Sequence, residues 1–514
     1  MKKLFIICTL ICQTAAVFAQ SPNITSGIKA LEAKQYDEAL EYFNKAIIDE
    51  PTASLGYYFR ACIYYEKSDH LRAMSDVNTV ITIGNESEKV EKASGFYLRA
   101  LIYLQLNDSA KAMADYGSAI KTYDSDPDFY AGRAQLYYEK KQYEKSIADY
   151  QSVLGLDGSA ELAYAGLARN SLALNKYDEA IVYSLFAFDV NPQNDVNREL
   201  FLSCAEKNTA FAISRMDILT KEVPENDMWW FYKGFFEQNN AEYRNAIETY
   251  TKLLTITQKP NPMVLSHRAF CYYKSALYEI AIAEYDKFLT DEWMDAYDFG
   301  FRADAKRLIG NFKGAVKDFS QAITLEPNEA WFYYRRGWVY DEFLHNSKVG
   351  MNDYNKAIEI NPYYAYTYLH RGKLYKNVLK DTQKAKADFE TILKLDTELN
   401  EEGNCRHYAL LELGRETEAI EWMNKILEKY PNEGNYYDAA CMYSAMNKTQ
   451  DAQKYITLAF ENGYKDITHI SKDNDLDNVR QNPQFKSVLA KWTKIIETEN
   501  KREIKKYSNN GTKL

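Results

Sequence analysis

The sequence predicts an all-α chain, an α-solenoid built by stacking antiparallel pairs of helices. Three observations predict it. Apolar residues recur at spacings of 3, 4 and 7, the helical period, over most of the 514 residues. The pattern itself repeats about every 34 residues, so one short unit is copied along the chain. Only 11 Pro and 21 Gly are present, too few for a turn-rich β architecture. With 46% hydrophobic and 26% charged residues the composition is that of folded rather than disordered protein. Tyr is unusually frequent: 43 residues, more than the 24 Phe and 7 Trp together.

The first element is a leader. Residues 1–19 read MKKLFIICTLICQTAAVFA, with Lys2 and Lys3 ahead of the apolar run Leu4–Cys12 and small residues at Val17 and Ala19. This is the pattern of a secretory signal peptide, with cleavage expected after Ala19. The apolar run is too short to span a membrane comfortably, and neither Cys8 nor Cys12 follows a small residue as a lipidated Cys should. No other stretch is long and apolar enough to span, so no transmembrane segment is expected after cleavage. The expected location is outside the inner membrane, in the periplasm. Cys62, Cys204, Cys271, Cys405 and Cys441 remain, an odd and widely spaced set without C-x-x-C. They read as buried small hydrophobes rather than a disulfide framework.

The repeats follow. The second half of each unit reads Ala-x-x-x-aromatic-x-x-Ala, as in Ala39/Phe43/Ala46, Ala112/Tyr116/Ala119 and Ala315/Phe319/Ala322. The first half reads Tyr-x-x-Arg-small-x-x-Tyr, as in Tyr57/Arg60/Ala61/Tyr64, Tyr130/Arg133/Ala134/Tyr137 and Tyr333/Arg336/Gly337/Tyr340. Several copies end in Pro, at 51, 192, 224, 327, 362 and 431, where a helix must stop. The small residue lets two helices approach and the aromatics fill the space around it. One pair cannot bury its apolar face alone, whereas a stack can.

These residues resemble the tetratricopeptide repeat, matched over about thirteen units between residues 20 and 466. The resemblance implies a right-handed superhelix whose first helices line a concave binding surface. Unit starts fall near 20, 54, 93, 127, 161, 195, 227, 262, 296, 330, 365, 400 and 433. An N-terminal array is expected over 20–194 and a C-terminal array over 227–466. The unit at 195–226 lacks the Arg signature in its first half and is expected as a joint. Two later units carry one extra residue, placed in the turns at His345–Ser347 and Leu379–Asp381. Residues 467–498 are expected to cap the array, with Phe485, Val488, Leu489 and Trp492 on one helical face. The polar tail 499–514 is expected to be disordered.

Two positions vary together across the repeats. An Arg in the first helix and an acid in the second occur jointly as Arg60/Asp76, Arg99/Asp115, Arg133/Asp149, Arg268/Glu284, Arg302/Asp318, Arg336/Asp353 and Arg371/Asp388. Both are missing at Leu167/Tyr183, Lys233/Thr249 and Ala439/Tyr455, and only Arg406 opposite Trp422 breaks the rule. An Arg–carboxylate pair tying the two helices of one unit is the expectation, and a ladder of ligand-binding Arg is the alternative.

For binding, a stripe one residue off the core face carries Phe231, Phe235, Phe270, Tyr273, Tyr297, Trp331, Tyr334, Trp338 and Tyr366, with Lys373 and Lys376 at one edge. A helix apolar on two faces must be covered on both. Either close packing of successive helices covers this stripe, or it forms an aromatic groove for a partner. The two-Asn, two-Lys carboxylate clamp of chaperone-binding repeats is missing.

Catalytic and metal residues are not expected. The His at 70, 267, 345, 370, 407 and 469 form no H-E-x-x-H, and no Walker loop, G-x-S-x-G or G-x-G-x-x-G occurs. The acidic run Asp473–Asp477 lacks the Gly and final Glu of a calcium loop and reads as a helix-capping turn. A net charge of −10 argues against nucleic acid. The function expected is a non-enzymatic scaffold in the cell envelope that binds a protein or peptide, with no cofactor. A glycan-binding envelope protein and a homo-oligomeric structural module are the alternatives.

Overall fold

The computed structural model describes residues 21–509, apart from 85–87, 157–158, 258–260, 289–292, 397 and 399–404. The expected leader at 1–19 lies outside the described residues. Helices and turns make up the described residues, which hold no strand. The chain divides into two compact units at Ser214/Arg215.

The first unit contains the pairs α1 Pro22–Glu32 and α2 Tyr36–Asp49, α3 Ser54–Glu66 and α4 His70–Ile83, α5 Lys89–Gln105 and α6 Ser109–Thr122, α7 Pro127–Glu139 and α8 Tyr143–Gly155, α9 Ala160–Ala173 and α10 Tyr177–Val190. Then come α11 Asp195–Ala205 and α12 Thr209–Glu222, and the division falls inside α12. The second unit continues with α13 Asp227–Asn239, α14 Tyr243–Thr257, α15 Pro262–Lys274, α16 Tyr278–Phe288, α17 Ala296–Leu308, α18 Phe312–Leu325, α19 Ala330–Trp338 and α20 Ser347–Ile360. It ends with α21 Ala365–Asn377, α22 Thr382–Leu395, α23 Arg406–Glu412, α24 Glu416–Lys429, α25 Glu433–Ala445, α26 Thr449–Glu461, α27 Ile467–Lys472, α28 Asp477–Arg480 and α29 Pro483–Asn509.

In several pairs the aromatic of the second helix lies against the small residue of the first, as Phe43 does on Gly27, Tyr250 on Gly234, Tyr354 on Gly337 and Phe389 on Gly372. Phe43, Tyr116, Tyr250, Phe319 and Tyr354 are all 1% exposed or less. Between successive pairs the approach is as close: at Gly166 of α9 a Cβ would stand 2.3 Å from the ring of Tyr150 in α8, so only glycine permits that crossing.

The turn inside a pair has one recurring conformation. Lys34, Ser68, Asn107, Lys141, Asn175, Ala241, Ala276, His345, Lys380 and Asn447 all have φ between 51° and 60°, and Gly310 and Gly414 are also left-handed. In the first pair Gln35 N–H donates to Ala30 O and Lys34 N–H to Leu31 O, closing the first helix in a Schellman-type cap. Asn and Asp side chains then cap the next helix: Asp69, Asp108, Asn311, Asn346 and Asp381 each accept a backbone N–H of its first turn.

The extra residue of the 330–362 unit is not in the loop. It is absorbed as a π-helical turn, Val339–Phe343, where Leu344 N–H reaches Val339 O. The tail expectation also needs correction. The last helix does not end near 498 but continues to Asn509, and Lys506 Nζ bonds Glu248 Oε1 at 2.7 Å. That contact joins the helix end to the body of its own unit, although both side chains are about half exposed. Residues 510–514 lie outside the described residues. The expected capping face is in place: Phe485 is buried, and Trp492 stacks on Phe460 with ring centroids 5.4 Å apart.

Candidate functional site

All seven Arg–carboxylate pairs are two-pronged within their helix pair. Arg60 Nε and Nη2 donate to Asp76 at 2.8 and 2.8 Å, Arg99 to Asp115 at 2.7 and 2.8 Å, and Arg133 to Asp149 at 2.7 and 2.7 Å. Arg302 meets Asp318 at 2.7 and 2.8 Å, Arg336 meets Asp353 at 2.9 and 2.7 Å, and Arg371 meets Asp388 at 2.9 and 2.7 Å. Arg268 directs both nitrogens at one oxygen of Glu284, the most deeply buried of the set. The carboxylate bond holds each of these Arg side chains in its helix crossing.

The Arg does more than sequence covariation reveals. Its remaining Nη1 reaches back to the second helix of the preceding pair, at Asn44, Asn78, Thr251, Asp286, Ser320 and Asn355 for Arg60, Arg99, Arg268, Arg302, Arg336 and Arg371. One side chain thus ties three helices. At the exception, Arg406 lies 4.9 Å over the Trp422 ring and donates to the Leu393 and Asp396 carbonyls.

The aromatic stripe is split. Phe231 and Phe235 pack edge-on against His267, at 5.7 and 6.0 Å. Phe270 packs on Phe301 at 4.8 Å, and Phe301 on Trp331 at 5.5 Å, so successive first helices cover these rings. Gly300 makes room for Trp331, whose ring a Cβ there would meet at 2.6 Å. Tyr297 lies 42% exposed at an outer edge, with its hydroxyl donating to Glu329 at 2.9 Å. Phe231, Phe235, Phe270, Tyr297 and Trp331 are therefore occupied by packing or edge contacts rather than by an open groove.

Tyr334, Trp338 and Tyr366 instead line a cavity of about 1350 Å³ inside the second unit, and Tyr273 lines its adjoining mouth. The first helices α17, α19, α21, α23 and α25 wall the cavity, and residues of the segment 466–475 complete its lining. That segment is held by charge and hydrogen bonds. Both Asp475 oxygens accept from Lys373 Nζ at 2.9 Å, so Lys373 is a paired cation and not a free edge charge. Lys376 is likewise paired, with Glu412 at 2.7 Å. Asn474 Nδ2 donates to Glu342 Oε2 at 3.0 Å, and the π-turn carries that Glu. The Tyr437 hydroxyl donates to Asp473, and His469 lies edge-on to Trp338 at 5.6 Å. Asp473 also accepts from Asp475 N–H at 2.9 Å, which makes the acidic run a capping turn.

The electrostatics divide the cavity. Near the extension, burial pushes Glu342 and Asp438 each up to about 7, helped by neighbouring carboxylates and opposed by Lys373. Burial, with Lys373 beside it, drives His370 down to about 3 and keeps it neutral. The Asp304 carboxyl is shifted the other way from those of Glu342 and Asp438: burial would raise it, but Arg307 and Arg335 hold it below its ordinary value. Arg307 Nε donates to Asp304 Oδ1 at 2.8 Å and the Tyr273 hydroxyl to Oδ2 at 2.7 Å.

Asp304, Arg307, Arg335, Tyr408, Tyr437, Asp438 and Tyr464 were not singled out from the sequence. A signal existed, because Arg307 and Arg335 depart from what other units hold at the same places. The position before the repeat Arg is Phe59, Leu98, Gly132, Gly166, Tyr232, His267 and Phe301 elsewhere, but Arg335 here.

No described helix is long and apolar enough to cross a membrane, and no described cluster of three His, Cys, Asp or Glu could hold a metal ion. All five cysteines of the described residues are buried.

Comparison with known proteins gives three kinds of likeness. The chain is 30% identical over 83 residues to a chloroplastic protein of Arabidopsis thaliana, covering 15% of this chain and 25% of that protein. It therefore spans about a quarter of that relative's length. Among solved structures, the Cut9–Hcn1 hetero-tetramer of APC/C aligns over 94% of this chain and 99% of its own, at 13% identity and a TM-score of 0.35. MamA aligns over 32% of this chain and 94% of its own, at 24% identity and a TM-score of 0.30. Residues 97–161 match the tetratricopeptide repeat family. The small residue, the buried aromatic and the left-handed turn of that stretch recur in helix pairs on both sides of it, and the chain is a tetratricopeptide-repeat protein with many repeats.

Proposed function

We propose that this chain is a non-enzymatic scaffold that receives a segment of a protein partner in the cavity of its second unit. One observation carries the reading: a segment of polypeptide, residues 466–475, comprising helix α27 and the turn after it, already packs along the cavity as one of its walls, held through side-chain carboxylates, an amide and ring contacts. About 1350 Å³ is large for a small-molecule site and suits a peptide of several residues. Aromatic walls supply contact area and the charged groups fix register. The leader pattern at residues 1–19 further supports a place in the cell envelope, with the periplasm the compartment proposed.

Trp331 is packed between repeats, whereas Trp338 faces the cavity, so Trp338 is the side chain to remove. Affinity capture from the native envelope fraction with wild type and a folded Trp338→Ala variant is the experiment. A protein held by wild type and lost from the variant is the expected result. Identical captures would overturn the cavity as the site.

A further inference from the structure

Two guanidinium groups on the cavity wall share a single carboxylate. The Arg307 side chain is only 5% exposed and donates from Nε to Asp304. Arg335 comes no nearer to Asp304 than 3.8 Å, too far for a hydrogen bond. Among the described residues Arg335 makes no hydrogen bond, and its Nε is closed off from solvent without an acceptor. Asp304 accepts from Arg307 on one oxygen and from the Tyr273 hydroxyl on the other. Asp466, a further acid that acts electrostatically on Arg307, caps α27 by accepting from His469 N–H at 2.8 Å and forms no ion pair with either Arg within 4 Å. Both guanidinium groups are already positioned, lying 4.6 and 5.3 Å from the centroid of the Trp338 ring.

The repeat does not require these groups. Leaving aside the unit at 195–226, which lacks the repeat signature, where Arg335 stands other units hold Phe, Leu, Gly, Tyr, His, Cys or Asp. Where Arg307 stands they hold Tyr65, Leu104, Tyr138, Leu172, Gln238, Tyr273, Asp341, Lys376 or Leu411, so Arg stands at neither place in these others. Folding an α-helical pair thus does not explain two arginines with spare donors facing one cavity. Leaving buried donors without an acceptor is costly, and an arriving carboxylate removes that cost with charge-assisted, two-pronged bonds. Elsewhere in the same cavity a comparable contact is complete, where Asp475, a carboxylate of the segment 466–475, is gripped by Lys373.

We infer that Arg307 and Arg335 form an anion site that takes a carboxylate side chain of an acidic peptide segment in the partner. The inference rests on the cavity reading proposed above. It makes the partner's segment acidic at one fixed position, flanked by residues able to pack on Trp338.

Selection of a phage-displayed random dodecapeptide library on the full chain tests it, followed by binding of the selected synthetic peptide to wild type, Arg335→Gln and Trp338→Ala. Arg335→Gln removes no hydrogen bond of the fold, and a thermal melt checks that it stays folded. If it does not, Arg335→Lys, which keeps the charge but loses the fork, takes its place. The expected result is Asp or Glu enriched at one position and binding weakened about tenfold or more by Arg335→Gln. Converting that acid to its amide should cost wild type a similar factor and the Arg335 variant almost nothing. Peptides that bind in the cavity without an acid preference, equally well to both proteins, would overturn the anion site while leaving the cavity reading intact. Failure to select any peptide whose binding Trp338→Ala weakens would overturn both.

Discussion

The Arg–carboxylate pairs are the recurring residue-scale device, and their burial grades their energetic weight. In Arg268–Glu284 both side chains are under a tenth exposed, whereas Arg133 keeps 23% of its surface. Arg268→Met leaves Glu284 buried without its cation and is expected to cost about 3–5 kcal/mol in urea unfolding. Arg133→Met should cost distinctly less, because water can replace part of the contact. The within-unit pairing was legible because the residues occur and vanish together. The third bond, to the preceding pair, was not, because its acceptors are Asn, Thr, Asp and Ser without a common type. A second residue-scale prediction concerns pH. Burial raises Asp438 to about 7, outweighing the hydrogen bond from Tyr408. An unfolded Asp ionises at about 3.9. The folded chain therefore holds an extra proton between those values, and this group's stabilisation is full below about pH 4 and lost as pH rises through 7. Asp438→Asn is expected to melt higher than wild type at about pH 8, with the gap closing towards about pH 4.

Elements in this chain are set by short local rules that the repeat copies. The left-handed residue between the two helices of a pair is most often not glycine, so several turns store strain. Lys141 has φ 57°, and Lys141→Gly should stabilise the protein by about 0.5–1 kcal/mol, read as a higher melting temperature. Gly166→Ala should act oppositely, by about 1–3 kcal/mol, since its Cβ meets the Tyr150 ring at 2.3 Å. Helix existence and turn positions could be read from periodicity, Pro and small residues. The π-turn at Val339–Phe343 could not, because an inserted residue can be taken up in a loop or in a helix with the same sequence spacing. The long α29 was hidden for a different reason. Its polar C-terminal half has no apolar stripe to announce it, and the contact it does make, with Glu248, is to a residue far away in the chain.

At the scale of the whole molecule, the proposed route to the envelope predicts a mature protein beginning at Gln20. Intact-mass measurement of protein recovered from the native envelope should show the loss of residues 1–19, and retention of the full leader would refute that reading. By itself the sequence determined what depends on neighbours along the chain: an all-α architecture, the helix-pair unit and its period, and the residues that cross-link each pair. Those properties follow from spacings of a few residues, repeated often enough to average out exceptions. Tertiary structure alone decided which of two apolar faces is covered and by what. Phe231, Phe235, Phe270 and Trp331 are covered by the next helix of the stack, while Trp338 opens on a cavity. It also decided that Asp475 answers Lys373 across 102 residues of chain and that, among the described residues, nothing answers Arg335 with a hydrogen bond. Pairings of that span are set by how many small rotations between repeats accumulate, and no local spacing in the sequence encodes the sum.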